Sequence, residues 1–90
     1  QMGYIILAKG QTFKQQIEAI SEGKTIFEIR YDYDLGGGSV TIPENCTLKF
    51  EGGSLSGAYT ITGNNTQLSG NIKLYSELLK NMHYFKLLSY

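Results

Sequence analysis

Several residue types that build recognisable sites are scarce in this chain of 90 residues. Cys46 is the only cysteine, so no intramolecular disulfide can form, and its place in phase with the inward residues predicts a small buried side chain. His83 is the only histidine and has no cysteine or second histidine at metal-ligand spacing, which argues against a zinc site. No phosphate-binding loop, dinucleotide fingerprint or Ser–His–Asp order is present. The sequence therefore predicts no metal and no cofactor.

Net charge and long apolar runs are also missing. Eight basic side chains balance eight acidic ones, so no positive field is available to hold a nucleic acid backbone. No apolar run approaches the roughly 20 residues that cross a bilayer, which argues against membrane insertion. The run at residues 4–8 lacks a basic flank and is too short for a signal peptide. The order Gln1-Met2 leaves open that an export signal has been removed.

Glycine, by contrast, is abundant, and it separates very short apolar alternations within residues 39–74. Because a strand shows its side chains alternately to opposite faces, each alternation predicts a brief half-buried strand. The predicted inward residues are Val40, Ile42, Leu48, Phe50, Leu55, Tyr59, Ile61, Leu68, Ile72 and Leu74.

A weak internal repeat organises this stretch. Residues 41–47 resemble residues 60–66 at an offset of nineteen residues, and a period near 20 is typical of solenoids. A single coil cannot bury its own apolar face, so stacked coils must form the core. The asparagines and threonines of the two corresponding turns are predicted to stack as corner ladders.

The segment before the repeat predicts a strand and a helix. A strand is expected at residues 4–8. Thr12 followed by Gln15 forms a capping-box pattern at the start of a helix over residues 13–22. The apolar stripe of that helix consists of Phe13, Ile17 and Ile20. We expect this helix to cover the open end of the stacked core.

Residues 25–33 give the longest strand signal in the chain. One face is predicted to carry Phe27, Ile29, Tyr31 and Tyr33, and the other Glu28, Arg30, Asp32 and Asp34. The three glycines that follow, at residues 36–38, force a turn.

The last residues, 75–90, change character. A helical stripe, with spacings of four, three and three residues, is formed by Leu78, Met82, Phe85 and Leu88. We therefore predict a C-terminal helix, although the alternation over residues 83–90 also fits a strand. The same four residues are the predicted contact of a homo-oligomer, a dimer or trimer. The organisation predicted is one domain over residues 1–90, divided into 1–24, 25–74 and 75–90.

The stretch FEIRYDYDLGGGSVTIPENCTLKFEGGSLSG, residues 27–57, carries a resemblance. It is similar to the opening coils of right-handed parallel β-helix proteins of the pectate-lyase-like superfamily. More narrowly, it resembles a group from gut Bacteroides and their phages. The resemblance implies a mostly β fold, a right-handed parallel β-helix with an N-terminal capping helix. Members of the superfamily usually have many more coils, whereas this chain is predicted to have about three. It also implies a location at the cell surface or on a virion. Members of the superfamily act as polysaccharide lyases, hydrolases or phage tail spikes.

Few residues are candidates for chemistry. Asp32 and Asp34 lie on one side of a strand, about 6–7 Å apart, where two carboxylates can act on a glycosidic bond or bind calcium. A solvated strand face is the competing interpretation. Tyr33 and Tyr75 are candidates for stacking on sugars, although Tyr33 also falls in phase with core residues.

The sequence is compatible with two functions. The first is a non-enzymatic structural or assembly module, the N-terminal part of a β-helix surface or phage-tail-like protein whose partner is a second copy. The second is a protein that binds or degrades a polysaccharide.

Overall fold

The computed structural model describes residues 3–21 and 23–73, together with the backbone of residues 82–87. In chain order its elements are β1 (Gly3–Ile6), α1 (Phe13–Glu18), β2 (Thr25–Ile29), β3 (Asp32–Asp34), β4 (Ser39–Thr41), β5 (Thr47–Phe50), β6 (Ser54–Ser56), β7 (Thr60–Gly70) and β8 (Met82–Leu87).

Every pairing between these strands is parallel, and successive coils return to the same place. Strands β1, β2, β5 and the end of β7 lie side by side. One stack runs through Tyr4, Ile26, Thr47 and Gln67, so a coil takes 20 to 22 residues. β3 pairs with β6, and β4 with the start of β7. The predicted short parallel β-solenoid, of about three turns, is confirmed.

The core lies inside the coils, where inward residues of successive strands stack. The largest fully buried side chains on the strands are Phe27, Ile29, Val40, Leu48, Phe50, Leu55 and Ile61, and Ile42 is buried directly after β4. Cys46 is also fully buried, as predicted, and burial raises the pKa of its thiol. The thiol is therefore a small core side chain.

Helix α1 covers the N-terminal end of this core. Its capping box forms as predicted, because the Thr12 hydroxyl accepts from the Gln15 amide while the Gln15 side chain accepts from the Thr12 amide. Phe13 and Ile17 are buried and join the core cluster, and Ile20 packs partly against it. The helix ends at Glu18, one turn earlier than predicted.

A corner ladder forms between two coils, at positions that the repeat did not align correctly. Asn65 Nδ2 donates to Asn45 Oδ1 at 2.6 Å, and both residues have a positive φ, 55° and 62°. Asparagine tolerates this left-handed conformation better than most residues. The ladder confirms the stacked asparagines, but the true offset is 20 residues here and 21 between Thr41 and Thr62. The predicted offset of nineteen was wrong because corners differ in length.

The single strand predicted over residues 25–33 is instead two strands with a corner between them. Strand β2 ends at Ile29 and β3 begins at Asp32. Tyr31 lies in the corner and is 40% exposed, so its predicted place in the core was wrong. The alternation concealed this corner because Ile29 and Tyr33 stay in phase on either side of it.

The C-terminal helix is also corrected where the structure describes the chain. Residues Met82–Leu87 form β8, which runs parallel to β7. A short isolated helix gains little stability by itself, whereas β7 offers a ladder of backbone hydrogen bonds, interrupted by one register shift between Thr62 and Thr66. The strand interpretation of residues 83–90 was therefore the correct one over residues 83–87, and the strand begins one residue earlier, at Met82. The rest of the predicted helix lies outside the described residues.

Candidate functional site

A cleft of about 470 Å³ opens between the loop that leads into α1 and the corner that leads into β3. Lys9 and Lys14 line it from the loop and helix, while Tyr31, Asp32 and Asp34 line it from β3 and its corner. The fold therefore brings both predicted carboxylates into one cavity. It adds two lysines that the sequence pattern did not single out, because their approach depends on how α1 docks.

The two carboxylates of the cleft are exposed and only partly engaged. They occupy alternate positions of β3, on the same face of the strand. Ser54 Oγ donates to Asp32 Oδ1 at 2.7 Å, and the Gly36 amide donates to Asp34 Oδ1 at 3.0 Å. A carboxylate accepts up to about four hydrogen bonds, so both retain sites for a ligand. Neither takes part in an ion pair within the described part of the chain.

Tyr33 also lines the cleft, but most of its side chain is buried. It is 7% exposed, and its ring packs against Phe13 with 6.1 Å between centroids. Its hydroxyl donates to the Ala8 carbonyl at 2.8 Å. Burial raises the pKa of the phenol. Tyr33 therefore joins the helix loop to β3, and the ring with an open face at this cleft is that of Tyr31.

The Ser39 carbonyl oxygen accepts hydrogen bonds from two other side chains that line the cleft. Tyr59 donates its hydroxyl to this oxygen at 2.9 Å, and Lys14 Nζ donates to it at 2.8 Å. Lys14 also lies 3.8 Å from Glu18, one turn along α1. Lys14 is thus already engaged. Lys9 contributes the other cation to the lining, and it forms no ion pair among the residues that the structure describes.

A second polar group, here named the outer-face cluster, lies on the outside of the sheet formed by β1, β2 and β5. It consists of Tyr4, Glu28, Arg30 and Lys49. The Glu28 carboxylate accepts from the Tyr4 hydroxyl and pairs with Arg30 Nε. Lys49 Nζ lies 3.4 Å from the Tyr4 oxygen and 5.7 Å from the centre of its ring. Side chains from three neighbouring strands, and Arg30 just beyond the end of β2, are thus joined.

Glu28 is 5% exposed although it points away from the core. The hydrogen bond from Tyr4, followed by that from Arg30, lowers the pKa of the Glu28 carboxyl below its ordinary value of 4.5. The hydrogen bond with Tyr4 likewise raises the pKa of Lys49. Both groups are stabilised in their charged forms by partners within the fold. The arrangement is that of a structural ion network.

The remaining predicted site residues are only partly placed. Tyr75, Leu78 and Leu88 lie outside the described residues. Met82 and Phe85 belong to β8, where they pair in register with Ile61 and Thr66 of β7. Their role in an oligomer contact stays a prediction.

The part of the chain that the structure describes contains neither a group of metal-ligating side chains nor a membrane-spanning helix. Within them, no three histidine, cysteine or acidic side chains converge as metal ligands would. No helix in this part of the chain is long and apolar enough to cross a membrane. Comparison with known proteins found no matching family model, no matching curated protein and no matching solved structure.

Proposed function

We propose that this chain is a non-enzymatic structural module, the capped beginning of a β-solenoid in a surface or phage-tail-like protein. One observation carries the proposal. Helix α1 inserts Phe13 and Ile17 into the end of the stacked core and so closes it. An uncovered end would expose apolar surface to solvent. The resemblance of residues 27–57 to the opening coils of β-helix proteins supports the same role.

The cap is tested by removing its buried anchor. Ile17→Ala is expected to cost about 2–5 kcal/mol of unfolding free energy, because a fully buried side chain is truncated. Glu18→Gln changes an exposed side chain of the same helix and should stay within about 0.5 kcal/mol of the parent. Urea denaturation measures both. Equal stability of the two variants would contradict the role of α1 as a cap.

A second function, carbohydrate binding or cleavage, is supported by the cleft. Asp32 and Asp34 can accept hydrogen bonds from sugar hydroxyls, and the exposed ring of Tyr31 offers a flat apolar face. The separation expected for the two carboxylates, about 6–7 Å, is near the range of inverting glycosidases. This candidate requires that a glycan occupy the cleft.

Screening plant and host polysaccharides for binding, and for new reducing or unsaturated ends, separates the two functions. The carbohydrate function predicts activity that disappears in Asp32→Asn and Asp34→Asn. Glu44→Gln, at an exposed carboxylate outside the cleft, is the matched control. If no glycan binds, the structural function stands. Binding lost only in the cleft variants would favour the second function.

We further propose that the module self-associates as a dimer or trimer. The balanced charge of the chain leaves no long-range repulsion between copies. Light scattering at micromolar concentration checks this proposal, and a monomer throughout would contradict it.

A further inference from the structure

Strand β1 forms an edge of the larger sheet. In the part of the chain that the structure describes, it pairs with β2 on one side and with no strand on the other. An open edge presents unpaired backbone donors and acceptors, which makes it a template for another strand. The direction of each peptide group decides how much of this edge is available.

The peptide groups of Tyr4 and Ile6 face the open side. Gly3 donates to the Lys24 carbonyl at 3.1 Å, and Leu7 donates to the Glu28 carbonyl at 3.0 Å. Residues of a parallel strand turn alternately toward one neighbour and the other. Because Gly3 and Leu7 turn toward β2, so does Ile5, while Tyr4 and Ile6 turn away from it.

The next outward peptide group, that of Ala8, is already covered. Gln16 Oε1 accepts from the Ala8 amide at 2.6 Å, and Gln16 Nε2 donates to the Ala8 carbonyl at 3.3 Å. This side-chain amide supplies the same donor and acceptor that a neighbouring strand would. The edge is therefore closed at Ala8 by the cap and open over Tyr4 and Ile6.

The side chains beside the open edge are large and apolar. Tyr4 is 49% exposed and Ile6 is 48% exposed. Tyr4 is also held in place, because its hydroxyl is hydrogen-bonded to Glu28 and Lys49 lies against its ring. A rigid aromatic side chain loses little conformational entropy on binding, which suits it to anchor an interface. No charge, proline or bulge protects this part of the edge.

We propose that the edge of β1 binds β1 of a second copy, antiparallel, about a two-fold axis that passes beside Ile5. Tyr4 of each copy then lies opposite Ile6 of the other. These are hydrogen-bonded pairs of an antiparallel ladder, so the two pairs exchange four backbone hydrogen bonds. The interface is isologous. One partner occupies the whole open edge, so no further copy can be added there.

A second copy fits this edge because the strand is complementary to itself in that register. Each cross-strand pair joins an aromatic to a β-branched side chain, a favourable combination on a sheet. Strand β1 carries no charge, and Glu28, the register neighbour of Ile6 in β2, is neutralised by Arg30 and Lys49. Two copies therefore meet without like charges in contact. Gln16 ends the ladder at Ala8 and so fixes the register.

This inference rests on the proposed assembly function, since it names the surface through which the module would self-associate. The contact is small, so we expect a reversible dimer. Sedimentation velocity from about 10 μM to about 1 mM, where weak interfaces are populated, should show a monomer giving way to a dimer. Growth into open-ended polymers would overturn the two-fold geometry, and a monomer throughout would overturn the interface.

A proline substitution tests the edge without changing the ladder to β2. Ile6→Pro removes an amide hydrogen that faces the open side, where proline is tolerated in edge strands. It should keep the circular dichroism of the parent and remain monomeric at every concentration. Ile6→Lys, which leaves the backbone unchanged, should weaken the dimer at least tenfold. Thr47→Lys places the same charge two strands away and should dimerise like the parent.

Amide hydrogen exchange supplies a second readout that does not depend on variants. The exchange of Tyr4 and Ile6 should slow as the concentration rises, while that of Ile5, already bonded to β2, should not change. A dimer whose Tyr4 and Ile6 amides exchange equally at all concentrations would place the contact elsewhere. That outcome would overturn this inference. It would not affect the proposed structural function, which the stability of Ile17→Ala tests separately.

Discussion

The cleft and the outer-face cluster place the same kind of side chain in opposite situations. Asp32 and Glu28 both lie on the outside of a strand, yet Asp32 is exposed and Glu28 is 5% exposed. Glu28 has a strand on each side, with β1 supplying Tyr4 and β5 supplying Lys49. Asp32 belongs to a two-stranded sheet and has a neighbour only in β6, where Ser54 binds it.

On a solenoid, therefore, the burial of an outward side chain depends on how many coils flank it. The carboxylate with two flanking coils is used by the fold. The carboxylates with one flanking coil stay available to solvent or to a ligand. Two kinds of substitution test this difference. One disturbs the corner between the two regions, and the other changes a carboxylate in each region so that the effects on stability can be compared.

Among the changes that bear on these two regions, the largest effect is expected at the corner itself. A Cβ on Gly53 would overlap the carbonyl oxygen of Tyr31, whereas a Cβ on Gly37 meets no atom within 4 Å. Gly53→Ala should therefore cost about 1–3 kcal/mol through forced overpacking. Gly37→Ala should leave the unfolding free energy close to that of the parent. Equal denaturation midpoints for the two variants would contradict the close approach of the coils at this corner.

The next effect distinguishes the two kinds of carboxylate. Glu28→Gln removes a charge that two partners hold, so the urea midpoint should fall. Asp32→Asn acts on an exposed side chain and should change the stability by less than about 0.5 kcal/mol. The same denaturation experiment measures both variants. If Asp32→Asn proved the more damaging, the roles assigned to the two regions would be reversed.

The pH dependence of stability should show the same distinction. Because the pKa of Glu28 is lowered in the fold, its ionised form contributes stability that is fully present above the ordinary value of 4.5. That contribution is lost as the pH falls through the lowered folded value. The loss of stability below pH 4.5 should therefore be less steep in Glu28→Gln. Parallel curves for parent and variant would refute the network around Glu28.

A smaller effect on stability is expected at the corner ladder. Its two asparagines belong neither to the cleft nor to the outer-face cluster. Asn65→Ala removes the hydrogen bond to Asn45 and should cost about 1 kcal/mol. Lys24 has a φ of 60° at the corresponding corner of the first coil. Lys24→Asn should therefore gain up to about 1 kcal/mol, because asparagine adopts this conformation more easily. Thermal unfolding measures both variants. Unfolding midpoints equal to that of the parent would show that the ladder contributes no stability.

The sequence predicted the stacked core and the cap because both follow from local patterns. Short alternations require inward rows, and the pattern at Thr12 and Gln15 requires a helix start. The corner at Tyr31 escaped prediction, since an alternation that keeps its phase across a bend looks like one strand. For Met82–Leu87 the sequence favoured a helix over a strand. The pairing of this strand with β7 is a long-range contact that local spacing does not reveal.

The candidate site was predictable only in part, for a related reason. Asp32 and Asp34 share a face by strand geometry alone. Lys9 and Gln16 take their positions from the docking of α1. Of the partners of Glu28, only Arg30 is close in sequence, whereas Tyr4 and Lys49 come from neighbouring coils more than 20 residues away. Neighbours across coils depend on the register, and corner lengths that vary by one or two residues change that register.

Residue-by-residue amide hydrogen exchange tests the central claim, a single stacked core closed by α1, most directly. Phe27, Leu48 and Leu68 are register neighbours in successive coils. Stacked units should open together, so their amides should report similar opening free energies, and Ile17→Ala should lower all three. Unequal values, with Leu68 unaffected by the change at Ile17, would show coils that open separately and would contradict the account.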